Sequence, residues 1–457
     1  MDSPMFTFDP EMAEKIFDYC RWRLAEDPVT LDFVGRAPEL EAALDGLLTP
    51  QGRSVDDVLT AYADQLSRRV ISVDSPRFLA FIPAAPTKAA LLFDMIVSAS
   101  SLNGTSWIEA SGAIAAENQV LHFLARTAGL PEGAGGTFIS GGSIGNLSAL
   151  VVARDEARRA NPALASRRLR VACSAEAHSS VASALRIIDC DALLVPTVDH
   201  RLTRVELERA LAEDSEPETV VAIVATAGTT NAGIVDDLEG VGEFARATGR
   251  WFHVDAAYGG AAMLSTTRRE LFAGMRHVDS FIVDPHKWLF APFDCAALLY
   301  REPERARRTH TQQAGYLDVI HEDPTEWNPT DYAIHLTRRA RGLAIWFSLC
   351  VYGTDAYTAA VDAGIAIAEE AGRLITTHPQ VELVREPGLS IVLFRRLGWS
   401  PAQYNAWSAK LLDDQIAFVT PTVWQGETVA RFCFLHPEAD AAMITEILDT
   451  MAEDPVL

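Results

Sequence analysis

The sequence predicts an α/β protein with a mostly parallel central sheet that carries helices on both faces. Between about residues 90 and 345, short runs rich in β-branched and aliphatic residues alternate with stretches of helical periodicity. Strands separated by helices favour parallel pairing, because each helix returns the chain to the same end of the sheet. A length of 457 residues suits one large domain of this kind with smaller appendages.

A helical arm is predicted for residues 1–87. The stretch "PEMAEKIFDYCRWRLAE" places apolar residues at helical spacing, and Ser54 is a candidate N-cap for the helix in "SVDDVLTAYADQLSRRV". Short helices depend on tertiary packing for their stability. The arm is therefore expected to bury its apolar face on a larger body, for which a second subunit is one candidate.

A large domain is predicted for residues 88–345. Helical "VELERALAED" and "LEGVGEFARATG" lie between strands in this region. Ligands of parallel sheets collect at the carboxyl ends of the strands, so functional residues are expected at that edge. The predicted strands are "LRVACS" (169–174), "VVAIVAT" (220–226), "WFHVD" (251–255), "SFIV" (280–283) and "AALLY" (296–300).

A small α+β domain is predicted for residues 346–457. A long helix, "DAYTAAVDAGIAIAEEAGRLITTH", is followed by strands in "VELVRE", "SIVLFRR" and "TVARFCFL". Helical periodicity is present in "SPAQYNAWSAKLLDDQ" and "PEADAAMITEILDTMAE". This pattern differs from that of the large domain, which indicates a separate unit.

Charge and cysteine content narrow the function classes. A net charge of −23 argues against nucleic acid and anionic membranes as partners, since both require a basic face. The six cysteines are scattered without a CxxC pair or metal-ligand spacing, which is typical of free thiols in a reducing compartment. The same scatter predicts no metal site. Neither a signal peptide nor an apolar stretch of about 20 residues is visible, so a cytoplasmic protein is expected.

One lysine stands in an unexpected setting. In "SFIVDPHKWLFAPFDCAALLY" (280–300), Lys287 lies between a His and a Trp inside an apolar run. A buried unpaired ammonium is costly, and Lys is rarely fully buried. A lysine that snorkels from the end of a strand would explain the pattern. A lysine whose amine is covalently bound to another group would explain it as well.

Residues with complementary chemistry follow other strands. In "FISGGSIGNLSAL", Gly141, Gly142 and Ser143 open a helix, where backbone N–H groups bind anions well. His178 follows a strand in "SAEAHSSVASA", and Asp255 ends the strand of "WFHVDAAYGG". An anion cup, an amine, a carboxylate and a flat imidazole suit the phosphate, aldehyde, ring nitrogen and ring face of pyridoxal 5′-phosphate (PLP). PLP is therefore the predicted cofactor.

The order of these motifs resembles the group II PLP-dependent decarboxylases, which include aromatic L-amino acid, glutamate and 2,4-diaminobutyrate decarboxylases. The resemblance covers nearly the whole chain. It implies a fold type I PLP enzyme that acts on a small-molecule amino acid, as an obligate homodimer with its active sites between subunits. The motifs are "SGGSIGN", "AHSS", "TAGTT", "HVDAAYGG" and "DPHKW…FDC", with "PRFLAF" near residue 80 and "RRARGLAIWF" near residue 342.

The resemblance also implies residue roles. Lys287 matches the Schiff-base lysine, Asp255 matches the partner of the pyridine nitrogen, and His178 matches the histidine that stacks on the ring. Asp284 stands where aromatic decarboxylases commonly have Asn. Further positions match a threonine close to the cofactor and residues on its phosphate side, namely Thr226, Gly142, Ser143 and His286.

A further catalytic residue is expected in "TQQAGYLDVIHEDPTEWNPTDY" (311–332), a polar stretch without clear periodicity that is typical of a long functional loop. Tyr316 matches the tyrosine of the family's mobile loop, which closes over the partner subunit's site and excludes water. The resemblance implies that Tyr316 protonates Cα. Family members with Phe here resemble aldehyde synthases, so decarboxylation to an amine and CO₂ is predicted, with an aldehyde synthase as the alternative.

The substrate side chain is predicted from two stretches. Phe81, Ile82 and Pro83 offer an apolar wall that suits an aromatic or aliphatic side chain. Asn103 and Thr105 stand where aromatic decarboxylases have larger apolar residues. An aromatic or other apolar L-amino acid is the predicted substrate.

Two other function classes share the predicted fold. A PLP aminotransferase would need a carboxylate-binding Arg and no tyrosine loop. Separately, Arg431 in "VARFCF" matches an arginine in the small domain of the decarboxylase family. A catalytically silent dimeric binding protein is the third class. The intact Lys287, Asp255 and His178 argue against it.

Overall fold

The computed structural model describes residues 4–83, 85–323 and 325–455, and among these it leaves the side chain of Tyr316 undescribed. A seven-stranded sheet lies at its centre. The strand order across this sheet is β1-β7-β6-β5-β4-β2-β3. In chain order the strands are β1 Gly135–Ile139, β2 Arg170–Ser174, β3 Asp191–Val195, β4 Val220–Thr226, β5 Trp251–Asp255, β6 Ser280–Val283 and β7 Ala296–Tyr300.

The central sheet is mostly parallel, which confirms the predicted fold class. β7 runs antiparallel to both of its neighbours, β1 and β6, and the remaining strand pairs are parallel. The five strands read from the sequence are confirmed as β2, β4, β5, β6 and β7. The sequence pattern does not reveal β1, whose glycines weaken the strand signal, or the short and largely exposed edge strand β3.

Helices cover both faces of the sheet. Side chains of α5, α8 and α9 share one core cluster, and those of α6 and α7 share the cluster on the opposite face. The helices of this region are α4 Lys88–Ala99, α5 Trp107–Thr127, α6 Gly142–Ala160, α7 Ser179–Ile187, α8 Arg204–Glu213, α9 Leu238–Thr248, α10 Pro303–His310 and α11 Leu343–Tyr352. Burial on both faces explains why every residue of β4 is apolar or small and buried.

The C-terminal part forms a second, antiparallel sheet with the strand order β10-β11-β9-β8. The sequence pattern does not reveal the short strand β10 Thr422–Trp424. The other elements are α12 Thr354–Thr377, β8 Val381–Leu383, β9 Ile391–Arg396, α13 Pro401–Asp413, β11 Glu427–Cys433 and α14 Ala441–Asp449. The predicted divisions after residues 87 and 345 stay predictions.

The N-terminal part is connected to this second sheet. Leu79 donates its backbone N–H to Phe418 O at 2.9 Å, and Cys433 donates its own to Leu79 O at 3.0 Å. The segment of residues 77–81 therefore extends the C-terminal unit although it lies far away in the sequence.

The helices before this segment are α1 Pro10–Leu24, α2 Ala37–Leu44 and α3 Val55–Thr60. The side chain of Ser54 accepts a hydrogen bond from Asp57 N, as its predicted N-cap role requires. None of the three helices contains a buried residue in this single chain. Among the described residues, no helix combines the length and apolarity that crossing a bilayer demands.

Candidate active site

The carboxyl ends of β2, β4, β5 and β6 meet at one cavity of about 340 Å³. A larger groove of about 580 Å³ lies at the amino ends of the strands and contains none of the predicted site residues. The edge predicted from the parallel sheet is thus where the motifs converge. The cavity is lined by all seven residues predicted to bind the cofactor: Gly142, Ser143, His178, Thr226, Asp255, His286 and Lys287.

Lys287 has a counter-ion in this cavity. Its Nζ lies 3.0 Å from Oδ2 of Asp284, a carboxylate that is 2% exposed. The same oxygen accepts a hydrogen bond from Gly142 N at 3.3 Å. The ammonium is therefore paired in the free protein. Asp284 supplies the negative charge of this ion pair.

Asp255 ends β5 inside the cavity and is 5% exposed. Its Oδ1 accepts a hydrogen bond from Ala257 N at 3.2 Å, and its Oδ2 accepts one from Asn146 Nδ2 at 2.8 Å. Each carboxylate oxygen has two lone pairs, so acceptor capacity remains for a further donor. The carboxylate is thus held from behind, and it can accept a hydrogen bond from a group in the cavity.

His178 precedes α7 and caps it. Ser180 N donates to Nδ1 of His178 at 3.2 Å, and Ser180 Oγ lies 2.8 Å from the same nitrogen. A backbone N–H can only donate, so Nδ1 is the acceptor and a neutral ring carries its proton on Nε2. The exposed imidazole is therefore held by its inner edge, and its face is free to stack.

The phosphate-side residues lie around the start of α6. A Cβ on Gly142 would meet the side chains of Ala257, Ile282 and Asp284 at 3.1 Å each, so a side chain there would fill the cup. Cys295 N donates to Nδ1 of His286 at 3.0 Å, and burial lowers the pKa of this histidine. His286 is therefore neutral, with a proton on Nε2 that it can donate.

The residues present fit PLP. Thr226 Oγ1 is buried and has no hydrogen-bond partner among the described residues, which is unusual for a group at a strand end. The amine of Lys287, the remaining acceptor capacity of Asp255 and the anion-binding start of α6 correspond to the aldehyde, the ring nitrogen and the phosphate. The cavity therefore offers a partner for each polar group of this cofactor.

Comparison with known proteins covers the part of the chain that contains these site residues. The family model of the pyridoxal-dependent decarboxylase conserved domain matches residues 38–397. The chain belongs to the pyridoxal-dependent decarboxylase family. It is an amino acid decarboxylase, and its cofactor is PLP. The aminotransferase and the silent binding protein are thereby set aside.

Two curated relatives and one solved structure illustrate the range of this decarboxylase family. An aromatic-L-amino-acid decarboxylase of Bacillus atrophaeus is 30% identical over 393 residues, covering 83% of this chain and 81% of the relative. An L-2,4-diaminobutyrate decarboxylase of Rhizobium meliloti is 31% identical over 402 residues, covering 83% and 78%. The structure of Oryza sativa TDC with PLP and tryptamine superposes with a TM-score of 0.87 at 25% identity, covering 97% of this chain and 99% of that one.

The predicted loop of the decarboxylase has two different halves. A 3₁₀ helix of seven residues, Gly315–His321, contains Tyr316. The side chain of Tyr316 is not described. The second half is anchored, since Trp327 Nε1 donates to Gly136 O at 3.0 Å and Asn328, fully buried, receives a hydrogen bond from Trp107 N at 2.9 Å. The mobile part is therefore expected to lie within residues 311–323.

Limited proteolysis tests this expectation. Residues 311–332 contain no Lys or Arg, so trypsin cannot cut within them, whereas chymotrypsin can cut after Tyr316 or Leu317. Chymotrypsin is expected to nick the ligand-free enzyme first between residues 311 and 323, because long loops open locally at low cost. A substrate analogue is expected to slow this cut. First cleavage elsewhere, mapped by mass spectrometry, would show that the loop is not the most mobile segment.

The predicted substrate residues lie outside the cavity of this single chain. Phe81 is 62% exposed, and Asn103 is engaged with Glu109 and Thr105. Arg431 lies closer, because its Nη2 donates to Thr230 O, and Thr230 lines the cavity. Phe81 is thus exposed on this chain, and none of the predicted substrate residues lines its cavity.

Several polar residues behind the site carry no evident sequence signal. Asn146 is part of the "SGGSIGN" motif, yet nothing in the motif indicates which residue it contacts. His253 alternates with apolar residues in β5 and resembles an ordinary core position. Only the three-dimensional contacts join Asn146, Ser180, His253 and Ser280 into one buried network.

Proposed function

We propose that this decarboxylase converts an aromatic or other apolar L-amino acid into the corresponding amine and CO₂, as a homodimer in the cytoplasm. The observation that carries the proposed site is the meeting of Lys287, Asp255 and His178 in one cavity. The aromatic-L-amino-acid decarboxylase of Bacillus atrophaeus supports the substrate class. The six free cysteines support a reducing compartment.

Each residue has a proposed task. PLP, when bound, accepts the electron pair that remains as the bond from Cα to the carboxylate breaks. Lys287 Nζ supplies the amine that holds the aldehyde, and Asp284 Oδ2 at 3.0 Å takes the proton that this amine must lose to act as a nucleophile. Asp255 would accept a hydrogen bond from the protonated ring nitrogen, and the imidazole of His178 would stack on the ring face. Tyr316 delivers a proton to Cα.

The homodimer is supported by the apolar surface of the arm. Phe6 and Phe8 are 87% and 76% exposed, and Leu48 is 99% exposed. Further apolar side chains, Leu92, Ile96 and Ile108, are exposed near the start of the large domain. Exposed apolar surface of this extent marks an interaction site. A second copy of the chain would bury this surface.

The substrate class is tested by measuring amine and CO₂ from a panel of amino acids. L-Trp, L-Tyr, L-Phe and L-Leu represent the proposed class, and L-Glu and L-2,4-diaminobutyrate represent charged side chains. The highest kcat/KM is expected for one of the first four. A charged substrate with the highest kcat/KM would overturn the substrate proposal and leave the decarboxylase activity intact.

The carboxylate of the substrate is proposed to bind Arg431. This guanidinium is 5% exposed, contacts no carboxylate among the described residues, and has an unpaired Nε. Its Nη2 donates to Phe81 O and Thr230 O at 2.7 Å each. A buried cation without a counter-ion favours an incoming anion.

Arg431→Lys is expected to raise KM by about 10- to 100-fold, because a charge-assisted hydrogen bond contributes about 1.5–3 kcal/mol. The change in kcat is expected to be smaller. Steady-state kinetics measure both, while PLP affinity and the unfolding midpoint serve as controls for the backbone contacts. An unchanged KM with normal PLP binding would show that Arg431 has a structural role only.

Asp255→Ala tests the proposed partner of the ring nitrogen. Without the carboxylate the nitrogen loses its proton, and the cofactor accepts the electron pair less readily. The variant is expected to bind some PLP but to lose most of its turnover. PLP content by absorbance and amine formation on the same sample separate the two effects. Normal turnover would remove the assigned role of Asp255.

A further inference from the structure

A chain of buried side chains extends from Asp255 to the far end of β5. Asn146 Oδ1 lies 2.8 Å from His253 Nε2, and His253 Nδ1 lies 2.8 Å from Ser280 Oγ. Trp251 Nε1 donates to the same Ser280 oxygen at 2.9 Å. Asn146, His253 and Ser280 are each at most 1% exposed. The chain is therefore closed to solvent over its middle part.

The hydrogen bonds of this chain have only one consistent direction. A carboxylate can only accept, so the amide NH₂ of Asn146 faces Asp255 and the amide oxygen faces His253. His253 must then donate from Nε2. Burial lowers the pKa of His253 to about 4, so the ring is neutral and its Nδ1 accepts. Ser280 donates to that nitrogen and accepts from the indole N–H of Trp251.

Every donor in the chain thus points toward Asp255. Aligned hydrogen bonds polarise one another, so each of them strengthens the next. At the outer end, the guanidinium of Arg305 lies over the ring of Trp251 at 5.8 Å from its centroid. A cation at one end and a carboxylate at the other both favour this direction.

Asn146 is also the branch point toward His178. The second N–H of its amide donates to Ser180 Oγ at 2.9 Å. Ser180 Oγ in turn lies 2.8 Å from His178 Nδ1, which is an acceptor, so the hydroxyl donates to it. One amide therefore connects the carboxylate proposed for the ring nitrogen with the imidazole proposed for the ring face.

We propose that Asn146 is a positioning residue, whose amide, oriented by His253, aligns Asp255 and His178 for the cofactor. The proposal rests on the roles proposed for those two residues. Asn146 contacts Asp255 directly and reaches His178 through Ser180, so its replacement is expected to act on the cofactor through these residues.

Two substitutions separate orientation from simple loss of packing. Asn146→Leu removes both donors, and the dissociation constant of PLP is expected to rise at least about tenfold, as expected for a lost hydrogen bond to a charged group. Asn146→Asp keeps the shape but places two carboxylates in contact, which raises the pKa of one of them. At low pH the new carboxyl is protonated, can donate and resembles Asn; as the pH rises, it loses that proton. PLP affinity and the visible circular dichroism of the bound cofactor are expected to be near normal at pH 5 and to decline toward pH 8.

Variants of two buried histidines are compared: His310 serves as the control, and His253 belongs to the proposed chain. His310 is another buried neutral histidine, with a pKa lowered to about 4 by burial, and its Nε2 lies 3.1 Å from the Ser148 carbonyl of the same helix, α6. His310→Gln is expected to leave the PLP dissociation constant within about twofold of wild type. His253→Gln keeps a donor and an acceptor, so it is expected to weaken binding less than His253→Ala.

The experiment has clear contrary outcomes. In an Asp255→Ala background, the effect of Asn146→Leu on PLP affinity is expected to shrink, because residues that act through each other are not additive. Full additivity, or an Asn146→Asp enzyme without the pH-dependent loss, would overturn the positioning role. PLP binding requires no substrate, so an error in the proposed amino acid would leave these outcomes unaffected.

Discussion

Lys287→Ala is expected to lower amine formation at least about a thousandfold and to abolish the visible absorbance of the bound cofactor. The amine is the group that forms the covalent link, and removal of such a nucleophile usually costs several orders of magnitude. Lys287 is the only lysine between Lys88 and Lys410, so no neighbour in sequence replaces it. Absorbance spectra and a stopped amine assay measure the two losses.

Lys287→Ala also removes the ion pair with Asp284, so a second variant is needed to separate the two effects. Lys287→Ala leaves Asp284 buried without its cation, which destabilises the fold on its own. Lys287→Arg retains a cation for Asp284 but no amine, so it is expected to restore the unfolding midpoint without restoring turnover. Lys410→Ala, at an exposed surface lysine, serves as the control. Borohydride reduction followed by peptide mapping must place the cofactor on Lys287; a label on Lys88 or Lys410 would refute the assignment.

Tyr316→Phe is expected to lower the rate of amine formation by about a hundredfold to ten-thousandfold, the range that one positioned proton donor supplies. The change removes one oxygen atom and leaves the shape of the loop. CO₂ release is expected to continue, since the bond to the carboxylate breaks first. With O₂ and water as co-reactants, the products then become aldehyde, ammonia and hydrogen peroxide. Amine, aldehyde and peroxide measured on one sample give the partition; amine formation at the wild-type rate would exclude Tyr316 as the donor.

A mixed form of the proposed homodimer tests whether Tyr316 acts on its own site or on that of its partner. Lys287→Ala and Tyr316→Phe homodimers are each expected to form amine at a small fraction of the wild-type rate. In the hybrid, one site combines an intact Lys287 with Tyr316 of the other subunit. If Tyr316 acts on the partner's site, the hybrid has one intact site of two. Its rate of amine formation is then expected to approach half that of the wild-type dimer. Failure to restore it in a verified hybrid would place Tyr316 in its own site.

The placement of the main site residues could be predicted from the sequence, because motif and topology agree. Lys287, Asp255 and Thr226 each follow or end an apolar strand, and parallel strands bring their carboxyl ends to one edge. The glycines at the start of α6 predict an anion site for the same reason. These inferences depend on local sequence patterns, which can be recognised without knowing the tertiary contacts.

Contacts between distant segments could not be predicted in this way. The ion pair between Lys287 and Asp284 needs the turn geometry, because residues three apart meet only when the backbone curls. The bonds of Asn146 to Asp255 and Ser180 span 109 and 34 residues, and no spacing rule indicates them. A histidine within β5 has the same appearance in sequence whether it is a core filler or a member of a hydrogen-bond chain.

The tie between the arm and the C-terminal unit has a consequence for biosynthesis. Arg77 Nη1 donates to Ile416 O across 339 residues, beside the bonds that join Leu79 to Phe418 and Cys433. Residues 77–81 leave the ribosome long before their partners do, because 339 residues separate Arg77 from Ile416. Contacts of such sequence separation form late and slow the folding of the chain. The nascent protein must therefore carry an unpaired, partly apolar segment until its partners near residues 416–433 have been translated, and chaperones are expected to bind the segment during that interval.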